Sequence, residues 1–95
     1  PADELAQIER ILEEHRDQFV AYHRLRARKS GPRRFIDLHL VVPGGQTVQA
    51  AHDLCERLEA EIEAILPNAS VTIHVEPAED AASWDDEEQQ ITAAQ

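Results

Sequence analysis

One cysteine, Cys55, leaves the chain without an internal disulfide and without a cysteine-pair zinc knuckle. No apolar run approaches the roughly 18 residues that a membrane helix needs. No secretory leader is present. Pro1 stands where a methionine would begin a full-length product, so the chain reads as an excised or processed piece. Bases are scarce as well, with 9 Lys and Arg against 19 Asp and Glu and a net charge of −10. Nucleic acid is therefore excluded as the main partner, because phosphate binding is driven by Lys and Arg.

What remains is ordinary for one small folded domain, 95 residues long with 42% hydrophobic and 29% charged content. The charge is uneven. Residues 1–77 carry 13 acids and 9 bases, a balance of −4, whereas residues 78–95 carry 6 acids and no base. The domain is expected over 1–77, followed by an acidic tail over 78–95 that lacks periodicity and reads as disordered. Within that tail, Ser83 with Asp86 could cap a short helix carrying Trp84 and Ile91.

Residues 3 to 15 are predicted helical, with Asp3 as N-cap and Leu5, Ile8, Leu12 and His15 on one stripe. His15 reads as a half-exposed terminal residue. Phe19 to Lys29 is a predicted strand in which Tyr22, Arg24, Arg26 and Arg28 alternate with His23, Leu25 and Ala27. Ser30-Gly31-Pro32 then turns the chain into a second strand ending at Val42. Here Ile36, Leu38, Leu40 and Val42 face one side and Asp37 and His39 the other. Six of the nine bases lie between Arg24 and Arg34. They suit either an anionic surface such as lipid headgroups or, more plainly, a solvated strand face that neutralises nearby acids.

Pro43-Gly44-Gly45 closes the second strand, and a helix opens at Gln46 or Thr47 and runs to about Leu66. Val48, Ala51, Cys55, Leu58, Ile62 and Ile65 form its apolar stripe with Leu54 and Leu66 beside it, Cys55 being a small core residue and His52 lying at the stripe's edge. The final strand, Ser70 to Pro77, places Val71, Ile73 and Val75 on one face and Thr72, His74 and Glu76 on the other. The fold class is thus α+β, an αββαβ order with two helices on one face of a three-stranded sheet. The open face carries polar residues and histidines, and a sheet exposed on one side suits pairing with a second copy.

Five histidines in so short a chain point to metal chemistry of the His/carboxylate kind. His23, His39, His52 and His74, with Glu76, could converge. Imidazole nitrogen and carboxylate oxygen together suit Zn2+, and also Fe2+, Mn2+ or Co2+. No HExxH or other local zinc signature is present.

The motifs H-R-L-R-A-R-K-S-G-P, F-I-D-L-H-L, V-Q-A-A-H and I-H-V-E-P, in that order, resemble the cytoplasmic C-terminal domain of the cation diffusion facilitator transporters. The likeness runs from about Leu5 to Pro77 and is nearest to the bacterial ferrous-iron and zinc efflux branch. It implies a ferredoxin-like, metallochaperone-like domain that forms a homodimer on the cytoplasmic side of the bacterial inner membrane, beneath a six-helix membrane domain absent from this chain. It also implies that His23, His39, His52, His74 and Glu76 hold divalent metal, Zn2+ first, with Fe2+, Mn2+, Co2+ or Cd2+ as other ions. Zinc-transporting members place an aspartate where Glu76 stands, so the longer arm alters the bridging geometry. The function implied is a non-enzymatic regulatory domain that senses metal, closes the dimer and promotes transport. A structural dimerisation module without physiological metal is the alternative. A small metallohydrolase lacks a recognisable nucleophile and a separate general base.

Overall fold

The computed structural model describes residues 2–84 and 91–93, of which Ala2 and 91–93 are described by backbone alone. Helix α1 (Ala2–Glu14) leads through a 3-10 turn (Arg16–Gln18) into strand β1 (Ala21–Ser30), which forms a hairpin with β2 (Arg33–Val42). Helix α2 (Val48–Ile65) then returns the chain to β3 (Ala69–Pro77), and a short strand β4 (Ile91–Ala93) follows. The sheet order is β3-β2-β1-β4, with β2 and β3 parallel and the other two pairings antiparallel. The two helices and the three-stranded β1-β2-β3 sheet are those expected from the apolar periods.

Thr47 caps α2 by accepting from the Ala50 amide at 3.0 Å, which satisfies one of the amides a helix start leaves free. Asp3 lies inside the first turn of α1, so it does not cap that helix. The core lies between the helices and one face of the sheet. Ile8 and Leu12 of α1 and Leu54, Leu58 and Ile62 of α2 close over Ile36, Leu38 and Leu40. Cys55 belongs to this core, and burial followed by the charges of Glu59 and Glu56 pushes its thiol up from the usual range.

Three apolar expectations on α2 and β3 need correction. Val48 is 87% exposed, because it opens α2 ahead of the turns that reach the sheet. Val75 is 37% exposed, because β3 is an edge strand and the helices do not cover its far end. Ile65 is likewise exposed, and the neighbouring Leu66 fills the core in its place.

The alternation expected along β1 also fails at one point. His23 pairs with His39 and Arg26 with Asp37, so two residues of β1, Arg24 and Leu25, stand against Leu38 alone. This is a β-bulge. Arg24 takes it up with φ at 58°, in the left-handed region. The bulge reverses parity: Tyr22 and Leu25 pack toward the core, while His23, Arg26 and Arg28 share the opposite face.

Past Pro77, where composition leads to an expectation of disorder, the chain turns back on the end of β3. The Ala78 amide donates to Val42 O at 2.8 Å, the Ser83 hydroxyl to Pro77 O at 2.7 Å and the Trp84 indole to Ala78 O at 2.8 Å. Ser83 ends a 3-10 turn that is capped by Asp80, and the helix expected after it falls mainly on residues 85–90, outside the described residues. Asp86 lies outside the described residues, and Ile91 falls in β4.

Candidate metal centre

The face of the sheet turned away from the helices carries the chemistry. Strand pairing sets His23, His39 and His74 abreast on β1, β2 and β3. The rings of His23 and His39 have centroids 5.1 Å apart, and those of His39 and His74 4.8 Å. Glu76 follows His74 by two residues and therefore lies on the same face one pleat further along. Its carboxylate spans the first two rings, with Oε1 2.8 Å from His23 Nε2 and Oε2 2.7 Å from His39 Nδ1.

One ligand atom from each of His23, His39 and Glu76 falls within 4.8 Å of the others. Two imidazole nitrogens and a carboxylate oxygen form the donor set used by zinc and several other first-row ions. The set fits such an ion in chemistry and in reach. His23 is 3% exposed, which limits competition by water on that side. Ala21 and Val41, also on this face, are fully buried although they lie outside the main core. The β4 strand runs alongside Ala21–His23 at the outer edge of β1.

Electrostatics at Glu76 are a contest. Burial raises the carboxyl's affinity for a proton, while the hydrogen bonds from His39 and His23 and the charge on their rings lower it. The hydrogen bonds and charges win together, so the carboxyl titrates below its ordinary range. An ionised carboxylate is the form that a cation requires.

The five residues singled out from the sequence do not all meet. His74 stands beside His39 and is exposed, outside the three-ligand group. His52 is exposed on α2, near Cys55, Glu56, Ile73 and Val75 on the helix-covered side of the sheet edge. Within one chain it is not brought to the group. Asp37 shares the polar face but pairs with Arg28 at 3.3 Å. His15, read as a terminal residue, places Nε2 3.1 Å from both Glu61 carboxylate oxygens, joining α1 to α2. Sequence reasoning missed the double bridge through Glu76. Its only advance signal was the i, i+2 spacing of His74 and Glu76.

The family described as the cytoplasmic domain of cation efflux proteins matches residues 1–78. An uncharacterized transporter of Synechocystis is 42% identical over 84 residues, 88% of this chain and 27% of its own length. A CzrB structure in its Zn form superposes with a TM-score of 0.74 at 40% identity, covering 82% of this chain and 89% of that one. The metal-bound C-terminal domain of the CzcD transporter from Thermotoga maritima gives 0.76 at 31% identity, covering 83% and 92%. The chain thus spans only about a quarter of the length of that curated relative, while it covers most of each of the two solved chains. By the matched residues and the fold, the chain belongs to the cation diffusion facilitator family, as a cytoplasmic domain of the cation efflux proteins.

Proposed function

We propose that this domain binds a divalent cation, Zn2+ first, through His23, His39 and Glu76, and that binding favours a closed homodimer which promotes transport by a membrane part. The observation that carries the reading is one carboxylate set between two imidazoles on adjacent strands, all three within 4.8 Å. A bound ion would supply positive charge in place of the histidine protons and tie β1, β2 and β3 together. The three side chains hold and orient the ligand atoms, and the buried His23 keeps water from one side. His74 adjoins the group from β3, while His52 can act only as a ligand to a different ion or toward another copy of the chain. The shift between open and closed dimers is limited by the ion's differential affinity for the two arrangements. No catalytic role is assigned, consistent with a family of transporter domains.

A second reading draws on the same geometry. Glu76 and the two histidines already satisfy one another by hydrogen bonding without an ion, as a structural dimerisation module would require. Calorimetric titration of the metal-free domain with Zn2+, repeated on His39→Ala and Glu76→Ala, separates the two. The metal reading expects saturable binding with a definite ratio that both substitutions weaken by more than about tenfold. Weak binding indifferent to both substitutions would leave the structural module.

A further inference from the structure

Residues 24–34 hold six bases and no acid, in a chain whose net charge is −10. The structure places these bases on and around the tip of the β1–β2 hairpin, where residues 28–33 are all exposed. Arg34 Nε donates to Glu4 at 2.8 Å, and Lys29 Nζ lies 3.8 Å from the same carboxylate. These contacts fasten the tip beside the first turn of α1. Arg28 meets Asp37, and Arg33 lies over the Phe35 ring and donates to Ser70 Oγ. Arg24 and Arg26 project into solvent. Two acids against six bases leave the tip strongly positive, opposite in sign to the rest of the surface.

We infer that the hairpin tip is a docking surface for an anionic lipid bilayer, with Arg26, Arg28 and Arg33 facing the headgroups. The orientation rests on the reading proposed above and on the likeness to the C-terminal domain of the CzcD transporter, which places the membrane part ahead of α1. On that arrangement the end of the domain that holds Glu4, Lys29 and Arg34 is the end nearest the membrane. Juxtamembrane bases are attracted to anionic leaflets over about a Debye length. The acidic remainder of the chain is repelled by the same surface, so the tip-first approach is the favoured one. His23 lies seven residues before Ser30 along β1, about 20 Å from the tip at the usual strand rise. The outer end of the tip, Arg28 to Arg33, is therefore spatially separate from the metal group.

The test uses the full 95-residue chain with vesicles of phosphatidylcholine alone or of an equimolar mixture with phosphatidylglycerol. At about 20 mM salt the vesicle-bound fraction should be at least about fivefold larger on the anionic vesicles, and the difference should vanish near 300 mM. The triple variant Arg26→Glu, Arg28→Glu and Arg33→Glu, which spares the Glu4 contacts, should lose the difference while keeping the helical circular dichroism of the parent. Equal binding to both vesicles, or a triple variant that binds like the parent, overturns the inference. Release by inorganic phosphate at constant ionic strength would replace a bilayer surface with a phosphate-ion site. Equal retention on polyglutamate would replace it with an acidic protein segment. Zinc titration of the same samples keeps the two readings apart: a parent chain that binds zinc but shows no preference for the anionic vesicles sinks this inference alone.

Discussion

His23 and His39 stand directly opposite each other across the β1–β2 ladder, and the carboxylate of Glu76, from the neighbouring parallel strand, reaches both. Two histidines side by side repel once both are charged. A carboxylate between them offsets that repulsion in the apo domain, and a cation in their midst would reverse the roles, with all three side chains donating electron pairs to it.

The charge and the length of the residue 76 arm are therefore separable. Glu76→Gln keeps the shape and removes the charge, and it should weaken Zn2+ binding by about a hundredfold. Glu76→Asp keeps the charge on an arm one methylene shorter and should cost about tenfold. Calorimetry on both variants checks the order, and equal affinities for the two would show that charge is not what binds.

Acid should act through Glu4. The hydrogen bond from Arg34, opposed by some burial and helped by the charges of Arg34 and Lys29, holds its carboxyl below the ordinary 4.5. A depressed carboxyl contributes stability above its unfolded pKa and loses it as pH falls through the folded one. Urea midpoints measured from pH 6 down to about pH 3 should fall less steeply in Glu4→Gln than in the parent. Parallel curves would remove Glu4 from the account.

Arg24 carries the bulge at a backbone angle that most side chains avoid, φ 58°. Glycine relieves that strain at some cost in chain entropy, so Arg24→Gly should change stability by zero to about +1 kcal/mol. Denaturant unfolding measures it. A loss of more than about 1 kcal/mol would mean that the Arg24 side chain is needed for the bulge.

The helix α2 offers a contrast within one element. Leu58 is fully buried against the sheet, whereas Val48 is 87% exposed. Leu58→Ala should destabilise by about 2–5 kcal/mol, and Val48→Ala should stay within about 0.5 kcal/mol. Thermal or urea unfolding of the two variants gives the comparison.

Most of the fold was legible because the apolar period is clean over Ile36–Val42 and along α2, where Leu54, Leu58 and Ile62 recur at helical spacing. The bulge was not. Nothing in Arg24-Leu25 marks an extra residue, and period-two reasoning carried past it assigns Arg26 and Arg28 to the wrong face. Val75 and Val48 were misread for a different reason: periodicity gives the face of an element but not how far its partner extends. At the site, His23, His39 and Glu76 could be named from residue type and motif order, but their meeting depends on strand order and register across a crossover. His52 has the same residue type on the wrong layer, a distinction that only the packing supplies.

The β1–β2 ladder and the parallel pairing of β2 with β3 together make His23 and Glu76 neighbours although 53 positions separate them in the chain. An ion gripped by both would act as a removable cross-link closing a loop of that size. By the chain-entropy relation for a covalent bridge, a loop of that length is worth about 4 kcal/mol. With Cys55 as its one thiol, the chain has no disulfide with which to obtain such a constraint. Coordination would supply it in reversible form, so that the rigidity of the sheet would rise and fall with the supply of metal.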